Sequence, residues 1–271
     1  MIRRSRATLG FLLAIIVPAA ILLGKVLYPQ AALYARILSP AALLWIGILA
    51  KLAFLAVACV VAARSAGEFE GRNPSRLAWR LLAAGLLGFV LGQATQALER
   101  LLAGAIPSPS AADAFFGLGY PVLIFALVQF LRAYAATGFP IGSRAGHWLL
   151  GVAVAAFLGL LGYSILIPVV WTPAPLLEKL VNVAYPAFDL ILLALAVVLL
   201  RVSVRFRGGA VWKVWIFLLS GFILMCVADI FFAFFSGLGQ THLVDMADAM
   251  YVLAFGCIAA GVLAQRELLL R

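Results

Sequence analysis

The sequence predicts an all-α fold: a polytopic membrane protein with eight transmembrane helices in one bundle and both termini cytoplasmic. Three observations predict it. Hydrophobic residues make up 66% of the 271 positions against 11% charged, with a mean hydropathy of +1.16, a balance that excludes a soluble domain. Apolar runs of spanning length recur eight times, and a bilayer core about 30 Å thick needs roughly 20 such residues of helix. Basic residues also gather in alternate loops, as short cytoplasmic loops require.

The first span, residues 8–28, follows Arg3, Arg4 and Arg6, which gives it the form of a signal peptide. No small-residue cleavage site follows the apolar core and Pro18 interrupts it, so an uncleaved helix is expected, with cleavage as the alternative. The second span, 40–63, carries Lys51 near mid-membrane. The third, 77–102, carries Ala84, Gly88 and Gly92 at four-residue spacing, leading to Gln96. Such a stripe permits close helix approach; packing inside one bundle is expected, and a homodimer contact is the alternative. The fourth, 114–135, and sixth, 180–201, each place a proline after a tyrosine (Tyr120-Pro121, Tyr185-Pro186), read as lying one turn into their helices. The fifth span is 147–170, the seventh 211–236 and the eighth 244–264. Loops this short leave no room for a separate globular domain, so residues 1–271 form a single transmembrane domain.

Charge fixes the expected orientation. Arg3, Arg4, Arg6, Arg64, Arg72, Arg76, Arg80, Arg132, Arg144, Arg201, Arg205, Arg207, Lys213, Arg266 and Arg271 fall on one side, and only Lys25, Arg36, Arg100 and Lys179 on the other. The net charge of +10 therefore reports topology, with anionic lipid headgroups as its partners and no nucleic acid. Trp79, Trp148, Trp212 and Trp215 sit near cytoplasmic helix ends and Trp45 and Trp171 near outer ends, as an aromatic belt would place them. Cys59, Cys226 and Cys257 lie inside spans with no paired spacing and read as small buried apolar residues.

Ionisable groups at bilayer depth are costly and face a bundle interior, so each is a candidate. Lys51 and Asp189 lie at similar depth and are expected to form an ion pair; a snorkelling Lys51, with Asp189 meeting only water or hydroxyls, is the alternative. Asp229, in the outer third of the seventh span, is expected to face inward toward Gln93 or Gln96, as a ligand-binding group or as a helix clamp. His242, Asp245 and Asp248 gather at the outer start of the eighth span and Asp113 at the fourth. A divalent cation is conceivable there, but Ser110/Asp113 and Asp245/Asp248 both fit an N-cap with an acid three residues on, so helix capping is expected and no metal. Residues 110–120 can also be laid over residues 245–255, which suggests a hairpin duplicated in the same orientation. Two histidines on opposite sides exclude a multi-histidine zinc site, and no nucleophile elbow, phosphate loop or dinucleotide fingerprint occurs. No catalytic residue and no cofactor are expected.

The run from Pro107 to Pro121, the run Asn182-Val-Ala-Tyr185-Pro186-Ala-Phe-Asp189, Ala228-Asp229-Ile-Phe-Phe-Ala and Asp245-Met-Ala-Asp248-Ala-Met-Tyr251 occur in that order. Together they resemble the N-terminal multi-helix membrane sensor regions of bacterial cyclic-di-GMP signalling proteins, whose C-terminal parts are GGDEF or EAL domains. The resemblance covers roughly residues 77–264. It implies a sensory input module in the bacterial inner membrane, with Asp113, Tyr120, Asp189, Asp229 and Asp248 at the family's recurrent polar positions. No cyclase, phosphodiesterase or kinase output lies within these residues, which is where the chain departs from the family.

The functional expectation is a sensory, signal-input or scaffold module without catalysis of its own. A small or lipid-like ligand would enter an outward-facing pocket near Asp229, Asp189, Tyr185, Gln96, Gln93 and Lys51, and the C-terminal end of the eighth helix would report to a cytoplasmic partner. A small-molecule or proton-coupled transporter using Lys51, Asp189 and Asp229 as relay groups is one rival. An intramembrane lipid hydrolase with Asp189 and Asp229 as an acid–base pair is another.

Overall fold

Helices begin here where local chemistry satisfies their free donors. Ser39 accepts the N–H of Ala42 at 3.1 Å just ahead of Pro40, and Asn73 accepts the N–H of Ser75 at 2.9 Å ahead of Pro74. A side-chain oxygen followed by proline suits a helix start, because the missing proline N–H would be unpaired there anyway. Gly104 ends the same helix that Pro74 opens, with φ 74°, a left-handed backbone that a side chain would strain.

The computed structural model describes residues 2–104, 106–107, 109–136, 175–237 and 240–270, together with 146, 148, 151–152, 155–156, 159–160 and 163. It holds seven long helices: α1 (Ile2–Leu27), α2 (Pro40–Gly67), α3 (Pro74–Ala103), α4 (Ala112–Ala136), α5 (Leu176–Ser203), α6 (Ala210–Gly237) and α7 (Thr241–Leu269). A π-helical turn, Leu33–Ile37, links α1 to α2, and a 3₁₀ turn, Val204–Phe206, follows α5. Each of the seven contains a stretch long and apolar enough to cross a membrane, and no strand occurs among the described residues. With every backbone group in such helices bonded internally, the chain is a multi-pass helical membrane protein. The sixth, seventh and eighth predicted spans are α5, α6 and α7. The fifth, residues 147–170, lies outside the described residues apart from isolated positions.

Contacts between neighbours close α2 to α7 into a ring in chain order, with α7 returning to α2. Outside this ring, α1 packs on α2 and α7 and buries Ile15, Ala19 and Leu22. Leu55, Leu86, Leu127, Leu192, Phe222 and Phe255 fill the interior. Leu49, Leu87, Phe125, Ile191 and Phe232 are exposed on the same helices, as a bundle solvated by acyl chains requires. Paired contacts give the helix directions. Lys51 meets Asp248 and Glu68 meets Arg266, so α2 and α7 run parallel; Asp113 meets Tyr185 and Tyr120 meets Asp189, so α4 and α5 also run parallel. One end of the bundle carries Glu99, Asp113 and Asp245, and the other carries Arg64, Arg76 and Arg266. We refer to them as the acidic and basic ends.

Three sequence expectations change here. The small-residue stripe does serve packing between α3 and α4, but Ala84 is exposed and Gly88 makes the closest approach to backbone: a Cβ there would sit 2.9 Å from the Cα of Gly119. Trp79 and Trp215 do not join an interfacial belt. They are 2% and 5% exposed and clasp Phe130 edge-on, with centroids 5.1 and 5.0 Å away, because large rings fill the gap between α3, α4 and α6. Pro121 and Pro186 lie well inside α4 and α5, whose first turns begin earlier than the apolar runs suggest. Each therefore leaves a carbonyl in the preceding turn without its helical N–H partner, directly beside a network tyrosine.

Candidate functional site

Each helix of the ring contributes one side chain to a layer at its centre: Lys51 from α2, Phe89 from α3, Tyr120 from α4, Asp189 from α5, Asp229 from α6 and Tyr251 from α7. The five polar members lie eight to thirteen residues from the acidic end of their helices. At about 1.5 Å rise per residue that is about 12–20 Å deep, well within a bilayer core.

Tyr120 is the hub. Its ring is 2% exposed and is held edge-on by Phe89 at 4.9 Å and stacked on Phe188 at 5.6 Å. That cage fixes the phenol oxygen between two carboxylates, 2.9 Å from Asp189 Oδ1 and 2.8 Å from Asp229 Oδ2. Asp229 also accepts a short hydrogen bond from the hydroxyl of Tyr251, whose ring stacks on Phe255 with centroids 6.0 Å apart. Asp189 is 1% exposed, and its Oδ2 has no hydrogen-bond partner. Asp229 and Tyr251 keep partial exposure, so the layer is sealed on the Asp189 side and more open on the Asp229 side. Cys226, fully buried on α6, faces both aspartates one turn from Asp229.

A second set of contacts lies toward the acidic end. Tyr185 donates to Asp113 Oδ1 at 2.6 Å, and Asp113 Oδ2 accepts the Ser110 N–H at 2.7 Å. Ser110 Oγ in turn accepts the N–H of Ala112 at 3.0 Å and donates to Glu99 Oε2 at 2.5 Å, while Glu99 Oε1 accepts the N–H of Ala111 at 3.0 Å. Ser110 and Asp113 thus form the reciprocal cap expected for α4, and Glu99 ties that cap to the end of α3. The Tyr185 and Tyr120 rings lie 5.8 Å apart, so this cap borders the central layer.

Asp245 and Asp248 have a different role from the one their spacing suggests. α7 begins at Thr241, and its first turn contains no acid, so neither residue caps it. Each instead pairs with a lysine across the bundle: Asp245 with Lys25 of α1 at 2.6 Å and Asp248 with Lys51 of α2 at 2.7 Å. The expected Lys51–Asp189 pair is not formed. The two residues are at comparable depth, but α5 stands across the ring from α2, whereas α7 is the immediate neighbour of α2. Lys51 Nζ also lies 5.7 Å from the centre of the Tyr251 ring, a cation–π contact that links it to the aspartate layer. Gln93 and Gln96 are half-buried, and among the described residues neither hydrogen-bonds to Asp229, whose partners are the two tyrosines. The side chain of His242 lies outside the described residues.

Tyr251 and Glu99 are the members that reading the residues did not single out, and Tyr120 entered only through a family resemblance. A signal was present: a tyrosine deep in an apolar helix needs a hydrogen-bond partner for its hydroxyl, and intramembrane aspartates are natural acceptors. Comparison with protein-family models, with curated proteins and with solved structures finds no match to this chain.

Proposed function

We propose that the chain is a sensory input module of the bacterial inner membrane, in which the polar layer receives a small or lipid-like ligand and α7 carries the response to the opposite face. The observation that carries this reading is the placement of polar contacts on α7. At one end Asp245, Asp248 and Tyr251 hold Lys25, Lys51 and Asp229, and at the other Arg266 holds Glu68 and the Arg64 carbonyl. A ligand that competes for any of the first three contacts works on the helix that makes the last two. It shifts the equilibrium only through different affinities for two arrangements of that helix. Both termini are cytoplasmic in this reading, with an eighth crossing in residues 147–170. The parallel course of α4 and α5 supports that crossing, since the intervening chain has to return from the basic to the acidic end. A cytoplasmic partner would meet the basic end of α7.

The test is a thermal-shift screen of small amphiphiles and metabolites on wild type and Asp229→Asn, with spin labels at the basic ends of α2 and α7. A compound that shifts only wild type and changes the label separation is the expected result. A screen in which every shift survives Asp229→Asn counts against the reading.

One observation favours a second reading, a proton-coupled transporter: two adjoining mid-span aspartates, one with an unpartnered oxygen. It requires access from both faces, and proteoliposome flux abolished by Asp189→Asn would favour it. Lys51 is outside that relay, since it is engaged by Asp248. For the lipid-hydrolase reading, a water would have to lie between the carboxylates, where the Tyr120 phenol now sits.

A further inference from the structure

Hydrogen-bond counting in the central layer leads to a binding site. A phenol carries one proton to donate and has lone pairs to accept with, whereas an ionised carboxylate only accepts. Tyr120 Oη lies within hydrogen-bond distance of two carboxyl oxygens. Its own proton can close one of these contacts and no more. The proton for the other cannot come from Tyr251, which spends its single donor on Asp229 Oδ1. It therefore has to come from one of the two carboxyl groups, as an acid O–H donating to the phenol oxygen.

The surroundings agree. Among the described residues, the titratable groups facing the pair are Tyr120 from α4, Tyr185 and Asp189 itself from α5, Cys226 and Asp229 from α6, and Tyr251 from α7. The ammonium of Lys51 of α2, which meets the Tyr251 ring, is held by Asp248, and Lys25 of α1 is held by Asp245. Farther off, Asp113 is engaged by Tyr185 and Ser110, and Glu99 of α3 by the cap of α4. Two anions on one phenol, with no cation paired to either among the contacts of the described residues, would be strongly disfavoured in an apolar interior. An unpartnered oxygen on a 1% exposed side chain is a further sign, since Asp189 Oδ2 has no donor to compensate a full charge.

We infer that Asp189 and Asp229 hold one exchangeable proton between them, with Tyr120 as the third member of the site. On release, the acid O–H bond breaks, the electron pair stays on the carboxylate and the proton leaves to water on the more exposed Asp229 side. Tyr120 then donates to one carboxylate only, and its contact with the other opens. Because α4 is bonded to α5 through one aspartate and to α6 through the other, release loosens one of these two helix contacts. The shared proton does not depend on what the bundle reports or transports.

The test is infrared spectroscopy of the purified protein in lipid nanodiscs, in the carbonyl-stretch region of protonated carboxylic acids. Wild type is expected to show such a band at neutral pH, to shift it in heavy water and to lose it reversibly as pH is raised. Labelling aspartate carboxyl carbons with ¹³C should move the band, so its assignment to aspartate does not rest on a variant that has to fold. Asp189→Asn should abolish it: the amide N–H replaces the acid O–H toward Tyr120, and Asp229, partly exposed, stays ionised on its two phenol donors. A band absent from folded wild type at every pH overturns the inference, as does one that survives in folded Asp189→Asn. It is also overturned by an unfolding midpoint that rises when Na⁺ replaces choline at constant ionic strength and fails to rise in Asp189→Asn, for the site would then hold a metal cation.

Discussion

Replacing Tyr120 by Phe removes one oxygen and leaves the ring, so the cage of Phe89 and Phe188 is kept and the hydroxyl is tested by itself. Two contacts are lost together, at 2.9 Å to Asp189 and 2.8 Å to Asp229. Side-chain hydrogen bonds inside membrane bundles are worth about 0.6 kcal/mol on average and up to about 1.7, because the unfolded chain in lipid finds other partners. The pair thus supplies about 1–3 kcal/mol. A second loss adds to it, since Asp189 then loses its one phenol donor while its Oδ2 is already without a partner, and an unsatisfied buried polar group costs about 1–3 kcal/mol. We expect about 3 kcal/mol in total. Tyr251→Phe should cost about 1 kcal/mol, because Asp229 keeps Tyr120, and Tyr185→Phe should cost no more, because Asp113 keeps the Ser110 N–H. Reversible unfolding in mixed micelles with increasing SDS measures all three. If Tyr120→Phe is no worse than Tyr185→Phe, the phenol does not join α4, α5 and α6 in the way described here.

Other perturbations separate the remaining contacts. Asp248→Asn should cost about 3 kcal/mol, since it strands Lys51, which is only 8% exposed; adding Lys51→Met should recover most of the loss in a double-mutant cycle, and additive losses would refute the pairing. Asp245→Asn should cost less than about 1 kcal/mol by the same unfolding assay, because both side chains of the Lys25 pair are more than a third exposed. Gly88→Ala should destabilise by about 1–3 kcal/mol, because the new methyl meets the Gly119 backbone at 2.9 Å and backbone cannot turn aside, whereas Gly117→Ala, with open space around it, should be neutral or stabilising. A reporter fused after Leu270 should be active only in its cytoplasmic form if both termini are inside; activity of a periplasmic reporter there would reverse the proposed orientation.

Hydropathy made the helices legible because a bilayer leaves the backbone few ways to be satisfied, and the length of an apolar run then follows from membrane thickness. The ends were less legible. α7 starts at Thr241 rather than 244, and that small difference moves Asp245 and Asp248 from the cap into the second and third turns, where they face lysines instead of free N–H groups. Depth along a helix can be counted, and Lys51 and Asp189 lie a comparable number of residues into α2 and α5. Rotation and ring order cannot be counted, because they depend on which helices are neighbours, and hydropathy carries nothing about that. Lys51 consequently has a different aspartate from the one assigned to it. The α4 cap was legible because both its members lie within four residues; the third, Glu99, is brought in only by the α3–α4 hairpin.

The pairing that results follows a physical division. Lysines are matched to aspartates nearer the acidic end, where Asp245 and Asp248 keep 45% and 40% of their side-chain surface exposed and charge is tolerable. In the central layer, Asp189 and Asp229 are matched to phenols, which donate a hydrogen bond without bringing a second charge that would itself need solvation. Had Lys51 reached Asp189, the central layer would contain a buried ion pair, neutral and with no need of a proton. With Lys51 drawn to α7 instead, the two aspartates pair with no cation among the described residues, and one phenol between them has to be shared. The same displacement of Lys51 that defeats the expected ion pair is what makes the aspartate layer responsive to a single positive charge, and Lys51→Met in the Asp248→Asn background should leave the carboxylic-acid band in place.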